Sequence, residues 1–186
     1  LAVNLKDAAF QVSTIITTTG FATADYCTWP LFSQTLLLML MFIGACAGST
    51  SGGIKVSRFI LYIKMMKKEL AFQLHPHSIK KVKMDERTVE HEVLRSANGF
   101  LLVYLLIGIV SLILVSLDDF DFATSFSSVA ACLNDIGPGL GMVGPTGNYA
   151  EFSIVSKYVL MFDMLAGRLE MIPMMLLLTP ATWRRQ

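Results

Sequence analysis

Apolar residues Ala8, Ala9, Val12, Ile15 and Ile16 recur at helical spacing and predict an amphipathic helix over residues 5–16, with Asn4 and Asp7 spaced as a capping-box variant at its start. Twelve residues of helix rise only roughly 18 Å, against a hydrocarbon core about 30 Å thick, so such a helix enters a bilayer without crossing it. The pattern then turns polar at Thr17-Thr18-Thr19-Gly20-Phe21. Tyr26, Trp29 and Pro30 follow as an interfacial anchor and a helix start, leading into an apolar run that predicts a helix over residues 31–47, long enough to cross most of a bilayer. Half-helix, polar turn and spanning helix in that order describe a re-entrant pore loop. Carbonyls left unpaired at such a turn are tolerated at membrane depth where they line protein or water, and there they can coordinate a dehydrated cation.

The apolar run breaks at Gly48-Ser49-Thr50-Ser51-Gly52-Gly53, and helical character resumes at Ile54. Two readings fit this break: a kink that lets helices pack closely, and a mobile gate on the inner side of the turn. The P-loop spacing of the glycines fails, because Ile54 stands where the lysine belongs and no strand precedes. A nucleophile elbow centred on Thr50 fails too, since His75, His77 and His91 all sit in the basic linker. His75 and His77 have no further ligand at metal-binding spacing. Residues 69–98 read as a polar, partly helical connection, and residues 97–117 as an uncharged spanning helix ended by Asp118, Asp119 and Asp121.

The second half repeats the first. Residues 123–133 predict another half-helix, Asn134-Asp135-Ile136-Gly137-Pro138-Gly139-Leu140-Gly141 another glycine-rich turn, and residues 153–178 another spanning helix. Gly20 set against Gly137 gives an internal repeat of about 117 residues, and Gly48 aligns with Gly167 at a similar depth. Two parallel repeats are too few to enclose an ion, so the chain is expected to be part of a longer protein. Arg168, near Asp163 and Glu170 in an apolar helix, must face a carboxylate or the pore. Either it joins a structural ion pair, or it sits below the turn beside residues 48–53 and restrains cation passage.

Composition agrees with a membrane protein: 54% hydrophobic, 16% charged, mean hydropathy +0.58. The net charge is +1, but ten of the 15 Lys and Arg lie between Lys55 and Arg95, which by the positive-inside rule makes that stretch, and the Trp183-Arg184-Arg185 tail, cytoplasmic. Asp7, Asp25, Asp118, Asp119, Asp121, Asp135 and Glu151 fall on the other side, as an acidic mouth that concentrates cations or as solvated loop acids. Cys27, Cys46 and Cys132 share no metal-ligand spacing. No base lies near Ser49, Thr50 or Ser51, so the chain reads as a non-enzyme. The rival to a pore is a broken-helix secondary transporter that works by alternating access.

Four motifs, in order, resemble the bacterial Trk-type potassium uptake proteins of the Trk/Ktr/HKT superfamily. Thr17-Thr18-Thr19-Gly20-Phe21 with Asp25-Tyr26 and Trp29-Pro30 resembles the third filter loop, and residues 48–55 the intramembrane gating loop. Asn134-Asp135-Ile136-Gly137-Pro138-Gly139 resembles the fourth filter loop, and Ala166-Gly167-Arg168-Leu169-Glu170 the fourth inner helix. The resemblance implies an all-α integral membrane fold of helix, re-entrant loop and helix repeats, similar to a potassium channel pore and incomplete in this chain. Residues 1–68 would be the third repeat without its outer helix, 69–96 a cytoplasmic linker, and 97–186 the fourth repeat. It further implies channel-like or symporter potassium uptake with no covalent cofactor, the ion being held by filter residues Thr18, Thr19, Gly20, Asp135, Ile136 and Gly137. The coordinating carbonyls would be those of Thr18, Thr19, Asp135 and Ile136. The gate would be Gly48, Ser49, Thr50, Ser51, Gly52, Gly53 and Arg168. The implied setting is a bacterial inner membrane with the filter outward, as a homodimer in lipid with a cytosolic nucleotide-binding ring and no nucleic acid. Asp135 departs from the Asn expected at its place.

Overall fold

The computed structural model describes residues 2–46, 48–49, 51–74, 83–84 and 87–169. Among the described residues, six α-helices carry the fold: α1 (Ala2–Ile16), α2 (Leu31–Met41), α3 (Val56–Leu74), α4 (His91–Val115), α5 (Phe122–Leu133) and α6 (Ile154–Arg168). The described residues also hold two two-residue ladders. Strands β1 (Ile43–Gly44) and β2 (Ile54–Lys55) pair in parallel, and β3 (Lys83–Met84) pairs antiparallel with β4 (Arg87–Thr88) in the linker.

Local chemistry starts several of these helices. Pro30 stands at the N-cap of α2, where its missing N–H costs nothing. Asp121 caps α5 by accepting from the Ala123 N–H at 3.2 Å, and Ser153 caps α6 by accepting from the Ser156 N–H at 3.1 Å. The Ser153 N–H also donates to Asp118 Oδ2 at 3.0 Å, tying the far end of α4 to the start of α6.

Three expected boundaries are corrected. α1 begins at Ala2, so Asn4 and Asp7 lie inside the helix rather than capping it, and Asp7 instead accepts from the Thr23 hydroxyl at 3.1 Å. α2 ends at Met41 and not at residue 47, because Ile43 and Gly44 leave the helix to pair with Ile54 and Lys55. Its 11 residues rise roughly 17 Å, too short to cross alone. α4 begins at His91, inside the stretch read as linker. The helical run His91–Asp118 is long and apolar enough to cross a membrane. Leu102, Leu105, Leu106, Ile109, Val110 and Ile113 are exposed along it, an apolar face that suits lipid and not water. Predicted features at residues 75–82 and from residue 170 onward, including His75, His77, Glu170 and Pro173, lie outside the described residues.

Burial links the two halves. Ile15, Tyr26, Leu37 and Met41 of the first half pack with Ile136 and Leu140 of the second. Val115, Val129, Cys132, Leu160 and Phe152 join α4, α5 and α6. On the linker side, Leu61 of α3 meets Leu94 and Ala97 of α4.

Candidate functional site: two matched loops over a small-residue segment

Each short helix, α1 and α5, runs into its loop through the same three backbone bonds. After α1, Thr17 N–H donates to Ser13 O at 3.0 Å, Thr18 N–H to Ile15 O at 3.1 Å and Thr19 N–H to Thr14 O at 2.8 Å. After α5, 117 residues on, Asn134 N–H donates to Ala130 O at 3.1 Å, Asp135 N–H to Cys132 O at 3.1 Å and Ile136 N–H to Ala131 O at 2.9 Å. Side chains repeat the pattern: Thr17 Oγ1 donates to Ser13 O and Asn134 Nδ2 to Ala130 O, both at 2.7 Å. The carbonyls of Ser13, Thr14 and Ile15, and in the second half those of Ala130, Ala131 and Cys132, thereby find donors without water.

The handedness of the two loops also matches. Thr18 and Asp135 have φ of 51° and 56°, and Gly20 and Gly137 have φ of 80° and 101°. A β-branched residue at positive φ is strained, and strain of this kind persists where the surrounding structure over-determines it. Among the described residues, no backbone N–H donates to the carbonyls of Thr18, Thr19, Asn134, Asp135 or Ile136. Further along the second loop the carbonyls are occupied. Tyr149 donates its hydroxyl to Gly137 O at 2.6 Å and Tyr26 donates to Gly139 O at 2.9 Å. Burial raises both phenols above the ordinary range, so each remains a donor at any physiological pH.

The loops touch. A side chain added at Gly20 would run into the carbonyl of Ile136, whereas one added at Gly137 would meet open space. Only glycine permits the first approach.

The segment between the paired strands folds back against the second loop. The β1–β2 ladder pins its two ends together, Ser49 N–H donates to Cys46 O at 3.1 Å, and Ser51 Oγ accepts from Ala45 N–H at 3.3 Å. The Cβ position of Gly52 lies 2.7 Å from both Asn134 O and Asp135 Oδ2, and that of Gly53 lies 2.6 Å from Asn134 Oδ1. On the α6 side, Gly167 abuts the carbonyl of Leu133. Arg168 is exposed and lines a cavity of about 30 Å³ with Ser49, Ser51, Gly53, Lys55, Arg58, Phe100 and Gly167. Arg58 lies over the Phe100 ring at 4.1 Å. The sequence-predicted residues Ser49, Ser51, Gly52, Gly53 and Arg168 thus gather beneath the second loop. Gly48 has open space around its Cβ position, and Thr50 lies outside the described residues.

Two of the contacts made here were not predicted from the sequence. Asn134 is fully buried, and its Oδ1 accepts from the Tyr104 hydroxyl of α4 at 2.9 Å. Asp163 is fully buried as well and accepts from Ser111 Oγ at 2.6 Å, so its described partner is this hydroxyl and not a cation. Tyr104 was the available signal, since a tyrosine hydroxyl in an uncharged spanning helix lies too far from its own backbone and needs an acceptor on another element.

With this geometry in view, comparison with known proteins is specific. A family model described as a cation transport protein, TrkH, matches residues 2–184. The Trk system potassium uptake protein TrkH of Salmonella typhimurium is 42% identical over 97% of this chain, and TrkG of Escherichia coli K12 is 34% identical over 94%. The crystal structure of the potassium transporter TrkH from Vibrio parahaemolyticus superposes with a TM-score of 0.83 at 39% identity, covering 96% of this chain and 38% of that one. The chain spans about 37% of the length of the first of these relatives. With its helical membrane fold and a family match running almost end to end, this chain belongs to the TrkH family of cation transport proteins.

Proposed function

We propose that this chain supplies two of the pore-forming units of a potassium uptake protein in a bacterial inner membrane, each unit being a short helix followed by a re-entrant filter loop. The observation that carries this reading is the recurrence, at a spacing of 117 residues, of the same three helix-to-loop bonds and the same two positive-φ positions. Alternating handedness turns successive carbonyls to one side of a strand, and carbonyls of Thr18, Thr19, Asp135 and Ile136 free of backbone donors suit a dehydrated cation. Gly20 and Gly137 allow the required backbone angles. The two helices end at the loops, so their negative ends point toward the ion.

Gly48, Ser49, Thr50, Ser51, Gly52 and Gly53 act as the gate beneath this filter, with Arg168 as a fixed positive charge that restrains cation passage. Support for this reading comes from the seating of Gly52 and Gly53 against Asn134 and from the shared cavity with Arg168. The relatives are named as potassium uptake proteins, which favours potassium as the cation. A homodimer in lipid, opened by a cytosolic nucleotide-binding ring on the basic linker side, completes the reading.

Rubidium uptake by potassium-starved cells expressing the full-length parent, with sodium as competitor, tests it. Gly137→Ser is expected to weaken discrimination against sodium, and Arg168→Ala to raise flux. If neither changes flux or selectivity, alternating access by broken helices replaces the pore.

A further inference from the structure

One atom beneath the proposed filter has no task in the reading above. Asp135 Oδ2 is sealed from solvent and has no hydrogen-bond partner among the described residues. A carboxylate oxygen stripped of water and left unmet is costly, so such an atom points to a ligand or a partner that comes and goes. Its surroundings are specific. Oδ2 lies 2.7 Å from the Cβ position of Gly52 and 3.4 Å from that of Gly167, at the junction of the small-residue segment with α6. The main-chain carbonyl of Asn134 lies at the same 2.7 Å from the Gly52 position. Two oxygens, one anionic, therefore converge on a spot that a hydrogen atom of Gly52 occupies. Hard monovalent and divalent cations take oxygen donors of this mixed carboxylate and carbonyl kind.

We propose that Asp135 Oδ2 and the carbonyl of Asn134 form an inner cation subsite at the cytoplasmic end of the filter, covered by Gly52 while the gate segment is seated and filled by a monovalent cation when that segment withdraws. The inference rests on the filter reading and deepens it. Arg168 is the tethered competitor: it follows Gly167, whose Cβ position lies 3.4 Å from Asp135 Oδ2, and it lines the same cavity as Ser49, Ser51 and Gly53. Lys55 and Arg58 line the neighbouring cavity, but Arg58 is engaged over Phe100. An Asn at this place, as the family resemblance leads one to expect, would offer a neutral oxygen and no charge. Asp and Asn both tolerate the left-handed backbone at φ 56°, so Asp135→Asn removes the charge and keeps the shape.

The test is rubidium flux through the full-length parent in proteoliposomes, with barium applied on the cytoplasmic side as the probe. Barium carries two charges and weighs a carboxylate heavily. Asp135→Asn is expected to raise the half-blocking barium concentration at least ~10-fold, through loss of one carboxylate's attraction for a divalent cation. Arg168→Ala is expected to lower it, and that gain should vanish in the Asp135→Asn, Arg168→Ala double variant. Gly137→Ser runs in parallel as the control on the filter. Barium block within twofold of wild type in Asp135→Asn, with sodium discrimination lost in Gly137→Ser, overturns the subsite and leaves the filter standing. The subsite is equally overturned if Asp135→Asn raises flux without moving the block, since the carboxylate then serves only as the counter-charge of Arg168. Unchanged discrimination in Gly137→Ser removes the filter and the subsite together.

Discussion

The loop after α1 and the loop after α5 share a backbone but not an environment. The hydroxyl of Thr17 makes its bond to Ser13 on the surface, while Asn134, in the same place, makes its bond to Ala130 in the interior and adds a second one from Tyr104. α1 buries Gln11, Thr14 and Ile15, whereas α5 is covered almost from end to end between α4 and α6. Gly20 is pressed against Ile136, and Gly137 faces open space. The shared part is what a helix must do to end in a positive-φ turn. The difference is set by the neighbours, so equivalent substitutions in the two loops should have unequal effects.

The largest inequality is expected at the glycines. Gly20→Ala places a methyl against the Ile136 carbonyl and also strains a backbone at φ 80°, so we expect loss of uptake and the largest fall in melting temperature of the purified full-length parent. Gly137→Ala carries only backbone strain, on the order of 1–3 kcal/mol. Equal losses would mean that Gly20 and Ile136 are not in contact.

Next come Asn134 and Thr17. Asn134→Ala leaves the buried Tyr104 hydroxyl without its acceptor and removes the side-chain bond to the Ala130 carbonyl, which keeps its backbone donor, and should cost about 2 kcal/mol, read as a shift in the unfolding midpoint. Thr17→Val, at the exposed counterpart, should cost about 0.5 kcal/mol or less. A Thr17 effect as large as that of Asn134 would show that the first loop is covered in the working protein much as the second is here.

The smallest inequality in stability is expected between the two tyrosines bracing the second loop. Tyr149→Phe frees the Gly137 carbonyl and Tyr26→Phe the Gly139 carbonyl, each at roughly 1 kcal/mol. Only Tyr149→Phe touches a glycine paired with Gly20 across the repeat, so it should also shift rubidium-to-sodium discrimination while Tyr26→Phe leaves it unchanged. Identical selectivity in both variants would remove Tyr149 from the filter's support.

Much of this was legible in the residues. The two short helices, the polar turns with Gly20 and Gly137, the 117-residue repeat and the break at residues 48–53 all follow from hydropathy and glycine placement, which act locally. The end of α2 was not. Its apolar run continues past Met41, and the helix stops because Ile43 and Gly44 find partners in Ile54 and Lys55, ten or more residues away. The start of α4 was placed late for a related reason: charged residues at its linker end assigned those turns to the partly helical connection, yet Leu94 and Ala97 pack on Leu61 of α3 and join them to the spanning helix.

The sequence by itself determined where the chain enters apolar surroundings, where it must turn and which glycines allow left-handed angles, because those depend on transfer energies and on the sterics of single residues. Tertiary structure alone decided that Gly20 meets Ile136, that Gly52 seats on Asn134 and Asp135, and that Asp163 accepts from Ser111. Such pairings depend on which surfaces come within a few ångströms once the helices pack, and the order of residues along one chain does not carry that distance.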